Sequence, residues 1–181
     1  MRIIATDLPG VLLIEPKVFS DLRGYFHEGF NRRAFAGQTG LDLDFVQDNF
    51  SRSAKSVLRG LHYQVGRPQG KLIRVTAGEV FDVAVDIRRS SPTFGKHACF
   101  RLSAENKRMA WIPVGFAHGF LALADNTDVI YKVTDYWYAE HERTIAWNDP
   151  DLAIGWPLAG EPVVSPRDAA GVRLRAAELF D

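Results

Sequence analysis

Gly78-Glu79-Val80-Phe81-Asp82-Val83-Ala84-Val85-Asp86-Ile87-Arg88 alternates with a period of two. Phe81, Val83, Val85 and Ile87 fall on one face; Asp82, Ala84, Asp86 and Arg88 fall on the other. That is the pattern of a β-strand with one apolar face and one wet or functional face. Strand-like runs bounded by Gly, Pro and Asp lie on both sides of it. Before it come residues 11–14, 24–28 (after a turn-like 20–23), 43–50 and 57–64. After it come 98–102, 109–113, 119–123 and 128–133. Many short strands with few helical periods between them predict a mainly β sandwich or barrel. Two short helices are expected. One covers 31–38, with Asn31 as its cap and Gly37 or Gly40 closing it. The other covers 169–180, opened by Ser165 as N-cap, Pro166 at the first position and Asp168 at the third.

No repeat, linker or low-complexity segment divides residues 1–181, so one domain is expected. Of the residues, 46% are hydrophobic, and 22 basic side chains balance 22 acidic ones. That balance argues against a general binder of nucleic acid or membrane surfaces, which carries a basic excess. A small basic pocket for one phosphorylated ligand stays compatible with it. Cys99 is the only cysteine, so no intrachain disulfide forms, which fits a reducing compartment. The N-terminus lacks the apolar core of a secretory signal, and no apolar run approaches membrane-spanning length. A cytoplasmic protein is expected.

Val57-Leu58-Arg59-Gly60-Leu61-His62-Tyr63-Gln64 brings a cation, a glycine and a histidine together. Strict alternation puts Arg59 on one face with Val57, Leu61 and Tyr63, and His62 on the other with Leu58, Gly60 and Gln64. Arg59 offers a planar fork of donors for phosphate or carboxylate. His62 is the side chain most easily poised as a base near neutral pH. Gly60 lets a ligand or another backbone approach closely. A half-buried histidine beside a surface arginine is the competing reading. His118 lies in Pro113-Val114-Gly115-Phe116-Ala117-His118, whose Pro-x-Gly-x-x-His spacing resembles half of the cupin signature. The His-x-His pair of metal-binding cupins is missing, because Tyr63 and Gln64 follow His62, so no metal is expected. Otherwise His118 is a turn residue bonded to backbone. Tyr131 reads as a core tyrosine or as a phenol pointing into a barrel.

An ordered set of segments resembles the dTDP-4-dehydrorhamnose 3,5-epimerase family nearly end to end. It comprises Arg23-Gly24-Tyr25-Phe26-His27-Glu28, Gln47-Asp48-Asn49-Phe50-Ser51, the Arg59/His62 stretch, Pro68 to Val75, and Gly78 to Arg88. Pro113 to Phe120, Tyr131 to Tyr136 and Trp147-Asn148-Asp149-Pro150 complete it. The resemblance implies a cupin-type jelly-roll barrel. It also implies a cofactor-independent isomerase that epimerises C3 and C5 of dTDP-4-dehydro-6-deoxy-D-glucose to give dTDP-4-dehydro-L-rhamnose. A monofunctional 3- or 5-epimerase, a non-catalytic sugar-nucleotide module and a metal-dependent cupin oxygenase are the alternatives.

By the same resemblance, His62 is the base, Tyr131 the acid on the opposite face, and Asp168 the acid paired with His62. The capping reading of Asp168 competes, and Asp82 is the other candidate partner. Lys71 faces the enolate oxygen. The nucleotide and diphosphate contacts fall on Arg23, Glu28, Gln47, Asp48, Asn49 and Arg59; those near the sugar and on the far wall fall on Lys71, His118 and Glu142. The family's usual lysine before the C-terminal aspartate is Arg167 here, which keeps the charge and changes a flexible point charge into a fork. Trp137 or Tyr136 stacks on thymine. A homodimer is implied, with an N-terminal segment adding to the partner's sheet. Residues 12–14 are one candidate for that segment, unless they pair within their own chain.

Overall fold

The computed structural model describes residues 1–181. Its strands are β1 (Arg2–Ala5), β2 (Leu12–Glu15), β3 (Val18–Asp21), β4 (Gly24–His27), β5 (Gln47–Ser53), β6 (Leu58–Gln64) and β7 (Lys71–Ala77). They continue with β8 (Glu79–Asp86), β9 (His97–Ser103), β10 (Met109–Ile112), β11 (Phe116–Ala122), β12 (Thr127–Val133) and β13 (Glu142–Thr144). The α-helices are α1 (Arg32–Thr39) and the one-turn α2 (Pro166–Ala169), with single 3-10 turns at Ala139–His141 and Leu174–Ala176. One antiparallel sheet runs β1-β2-β10-β7-β12-β5 and a second runs β13-β6-β11-β8-β9, while β3 and β4 form a separate hairpin. The sheets face each other across one core, a sandwich as the strand spacing predicts and the jelly roll that the resemblance implies.

Ile73, Val75, Ala110, Ile112 and Val129 from the first sheet meet Val80, Ala84, Phe100, Leu102, Phe116 and Phe120 from the second. The apolar face of β8 points the other way. Val83, Val85 and Ile87 pack with Ile145, Leu152, Leu174 and Ala177 of the C-terminal segment. Burying each large aliphatic side chain contributes about 1.5–3 kcal/mol, so this cover holds the tail firmly on the second sheet. The opposite face of β8 is therefore not wet: Asp82 and Asp86 are fully buried. Asp86 is satisfied by Arg88, Ser91 and Thr93. The outer face of the first sheet is closed by α1, whose Phe35 packs on Ile14, Leu72, Met109 and Trp111.

Helix α1 starts and stops where its residues dictate. The Asn31 side chain accepts from the Ala34 N–H at 3.1 Å, and Gly40 ends the helix in the left-handed region, with φ 73°. Two further expectations need correction, and one alternative falls. The run 43–50 becomes a strand only from Gln47; Leu43 and Phe45 instead pack against the α1 cluster. The C-terminal helix stops at Ala169, because Val172 pairs with the chain after β13: its N–H donates to Thr144 O, and Ala146 N–H donates to Val172 O. His118 sits inside β11 rather than in a turn. Strand β2 pairs with β1 and β10 of its own chain, so residues 12–14 are not left free for a partner.

Candidate active site

Strands β6 and β11 set the site. His118 lies opposite His62, but Phe120 lies opposite Arg59, so the register slips by one residue between them. A bulge of this kind inverts the facing of one stretch relative to the next. Arg59 and His62, on opposite faces by strict alternation, consequently open onto one cavity of about 390 Å³. Gly60 allows the slip. Its φ is +114°, and a Cβ there would lie 2.6 Å from His118 O and 2.7 Å from Gly119 Cα. The close approach expected at Gly60 is made by backbone of β11. The Gly60–Leu61 peptide bond is cis.

His62 Nε2 lies 2.5 Å from Asp168 Oδ1, and Asp168 is only 3% exposed. The Asp168 N–H meanwhile donates to Ser165 Oγ at 3.1 Å. The two readings of Asp168 are thus compatible, since the cap uses its N–H and the histidine its carboxylate. Asp82 pairs with His118 instead, whose Nε2 lies 2.8 Å from its Oδ2. Burial lowers the affinity of the His62 imidazole for a proton; Asp168 opposes this, and the charges of Lys71 and Arg167 add to it. Burial pushes the Asp168 carboxyl up, but the His62 hydrogen bond and the Ser165 hydroxyl outweigh that, and it stays below the usual carboxylate range. The pair is a neutral imidazole against an ionised carboxylate, which is a base awaiting a proton.

Lys71, 8% exposed, reaches His62 O with its Nζ at 3.3 Å. Burial brings its ammonium down to about 8. Burial also raises the Tyr131 phenol, with Glu142 adding to the effect and Arg59 and Arg167 opposing it. Tyr131 therefore keeps its proton at neutral pH and can donate it. The charged lining of the cavity is Arg59, Lys71 and Arg167 against Glu142, an excess of positive charge suited to an anion. Arg59 donates to Ser53 Oγ at 3.1 Å and to Arg52 O at 3.2 Å. Glu142 takes the Trp137 indole N–H at 3.0 Å and forms an ion pair with Arg167. Gln47 Nε2 donates to Asn49 Oδ1 at 2.8 Å.

The structure gathers Gln47, Asn49, Arg59, His62, Lys71, His118, Tyr131, Trp137, Glu142 and Arg167 around this cavity, with Asp168 directly behind His62. Trp137 lines it and Tyr136 does not. Three expected residues stay outside it within one chain. Asp48 points to the other face of β5, where it pairs with Lys132. Arg23 sits on the exposed β3–β4 hairpin, paired with Asp21. Glu28 follows that hairpin and accepts from Asn31 Nδ2. Ser51, Gln69 and Phe120 line the cavity without having been singled out. Period-two alternation from Gln47 would have included Ser51 and excluded Asp48, and alternation from His118 would have found Phe120. No group of three or more His, Cys, Asp or Glu side chains is placed to hold a metal ion.

The family model of dTDP-4-dehydrorhamnose 3,5-epimerase matches residues 5–176. The chain is 56% identical over 180 residues to the dTDP-4-dehydrorhamnose 3,5-epimerase of Pseudomonas aeruginosa, covering 99% of each. It is 52% identical over 182 residues to that of Salmonella typhimurium, covering all of each. Among solved structures, a dTDP-6-deoxy-D-glucose-3,5-epimerase of Legionella pneumophila in complex with dTDP-4-keto-L-rhamnose superposes with TM-score 0.96 at 52% identity, covering 98% of this chain and 94% of that one. A 3′-monoepimerase of Streptomyces bikiniensis is more distant, at 33% identity and TM-score 0.89, covering 94% and 86%.

Proposed function

The chain belongs to the dTDP-4-dehydrorhamnose 3,5-epimerase family, and on that premise we propose how its cavity divides the proton transfers. The protein is an isomerase that inverts C3 and C5 of dTDP-4-dehydro-6-deoxy-D-glucose. The C4 ketone acidifies the C–H on either side of it. His62 removes that proton, and the electron pair moves onto the C4 oxygen as an enolate. The Lys71 ammonium stabilises the oxygen, as a fixed cation does best in a water-poor site. Tyr131 then delivers its phenolic proton from the opposite face, so the centre inverts. Asp168 holds the His62 ring by Nε2 and favours the imidazolium that forms. Nδ1, which has no protein partner, is the nitrogen left to accept the substrate proton. Arg59 and Arg167 take the diphosphate, and Trp137 stacks on thymine.

The observation that carries this reading is the buried His62–Asp168 pair opening onto the same cavity as Lys71 and Tyr131. Tyr131→Phe tests it, because the change keeps the ring and removes only the donated proton. In D2O, NMR should show deuterium entering C3 faster than inverted product forms. Inversion of both centres at the wild-type rate refutes Tyr131 as the acid. Equal loss of exchange and inversion, with substrate still bound, refutes it as well.

The assembly we propose is a homodimer. Its support is the β3–β4 hairpin, where Phe19, Tyr25 and Phe26 are 51%, 58% and 67% exposed. Arg23 and Glu28, remote from their own cavity, would then serve that of the partner. Light scattering that finds a monomer at micromolar concentration removes this assignment. No helix is long and apolar enough to cross a membrane, and a nucleotide-linked substrate suits the cytoplasm.

A further inference from the structure

Arg167 and Asp168 are neighbours in sequence, and both approach His62 Nε2. Asp168 Oδ1 lies 2.5 Å from it and Arg167 Nη2 lies 3.1 Å from it. These contacts make opposite demands. The carboxylate favours a proton on Nε2 and a positive ring; the guanidinium is a donor and a cation, and disfavours both. Arg167 is held there by its ion pair with Glu142, and its Nε is 3.7 Å from Asp168 Oδ1. Its side chain is 53% exposed against 4% for Asp168, so Arg167 is the one of the two that an anion in the cavity can reach and draw from Glu142. Arg167 also lines the cavity with Arg59, where an anion would sit.

We propose that His62 and the substrate's diphosphate compete for Arg167, so that the nucleotide itself strengthens the base that acts on the sugar. A diphosphate takes over the guanidinium charge, and His62 is left to Asp168 alone. Binding energy from a part of the substrate remote from the reaction is thereby spent on the chemical step. A lysine would serve the diphosphate but lacks the second nitrogen that lets Arg167 span Glu142 and His62 at once. The inference rests on the assignment of His62 as the base. The other charged or titratable groups around His62 are Lys71 on β7, Glu142 on β13, His118 on β11 with Asp82 on β8, Tyr131 on β12 and Arg59 on its own strand. None of these bonds to Nε2, and the double variant Arg167→Gln/Glu142→Gln controls for the Glu142 ion pair that the substitution removes.

The test is an NMR titration of the His62 imidazole, its signals assigned by their loss in His62→Asn. Wild type and Arg167→Gln are each measured alone, with dTDP and with thymidine. In Arg167→Gln alone, the midpoint should lie higher than in wild type by about one pH unit, the effect of removing one adjacent cation. Addition of dTDP should raise the wild-type midpoint by more than it raises that of the variant, whose shift measures the direct field of the nucleotide. Thymidine, which lacks the anion, should move neither. Equal midpoints for the two proteins alone, equal shifts with dTDP, or an equal shift with thymidine would each overturn the proposal. Failure of dTDP to bind wild type overturns it too. If His62→Ala exchanges substrate C3–H in D2O at the wild-type rate, the assignment of the base fails, while the titration still decides whether diphosphate and His62 share Arg167.

Discussion

Gly60→Ala should damage both the barrel and the site, and the structure sets the size of the effect. A non-glycine residue at φ +114° costs about 1–3 kcal/mol in backbone strain. The added Cβ would also lie 2.6 Å from His118 O and 2.7 Å from Gly119 Cα, and these are backbone atoms that no side-chain rotation relieves. Overpacking of this kind costs a further ~1–3 kcal/mol. The total of roughly 2–6 kcal/mol corresponds to a Tm lowered by about 5–20 °C for a chain of this size. Because the register slip at Gly60 puts Arg59 and His62 into one cavity, turnover should fall even at temperatures where the variant stays folded. Gly119→Ala is the companion: its Cβ would lie 2.7 Å from Arg59 O without the left-handed backbone, so it should lose only the packing share, about 1–3 kcal/mol. Differential scanning fluorimetry and NMR turnover read both variants. A Gly60→Ala protein that melts within about 1 °C of wild type, where the strain alone predicts more, and turns over normally would refute the argument.

Activity should follow a bell in pH. Burial holds His62 below its usual range, so the base stays unprotonated to lower pH than a free imidazole, and the acid limb should begin below 6.5. Lys71 must keep its proton to stabilise the enolate, so activity should be lost as pH rises through about 8; a kcat/KM profile flat from pH 7 to 10 would remove Lys71 from that role. Arg59→Ala should raise KM by roughly 10- to 150-fold, the loss of one charge-assisted bond of about 1.5–3 kcal/mol, and Arg59→Lys should recover part of it; unchanged KM in both removes Arg59 from the site. Asp168→Asn should lower kcat by up to about 10⁴-fold, as loss of the group that orients a catalytic imidazole does. If Asp168→Asn lowers only Tm, its carboxylate does not orient His62 for the reaction, since the Ser165 cap uses the backbone N–H that asparagine keeps.

The strands were legible because their information is local. The alternation around Val83 marks β8 without reference to any other segment, and Asn31 and Gly40 frame α1 by their own chemistry. What was not legible depends on partners distant in sequence. The polar face of β8 reads as wet until the first sheet is laid over it, and then Asp82 needs His118 to be tolerable. The slip beside Gly60 is a relation between β6 and β11, so no reading of residues 57–64 alone puts Arg59 and His62 together. The tail carries real helix signals at Ser165 and Pro166, yet pairing with Thr144 and Ala146 competes with the next turn. Ser51 is a different case: the alternation from Gln47 was there to be used, and following it would have traded Asp48 for Ser51.

His62 and Asp168 lie 106 positions apart in sequence, which has a bearing on when this protein comes alive. Closing so long a loop brings its entropy cost before any reward from the contact itself. The tail that carries Asp168 has nothing to dock on until the second sheet exists, since Leu152 and Leu174 pack on Val83 and Val85. Synthesis runs from the N-terminus, so Asp168 also leaves the ribosome well after His62. A nascent or half-assembled chain therefore presents a histidine with no acid behind it. Competence to attack a reactive keto-sugar thus waits on the docking of the tail against the second sheet.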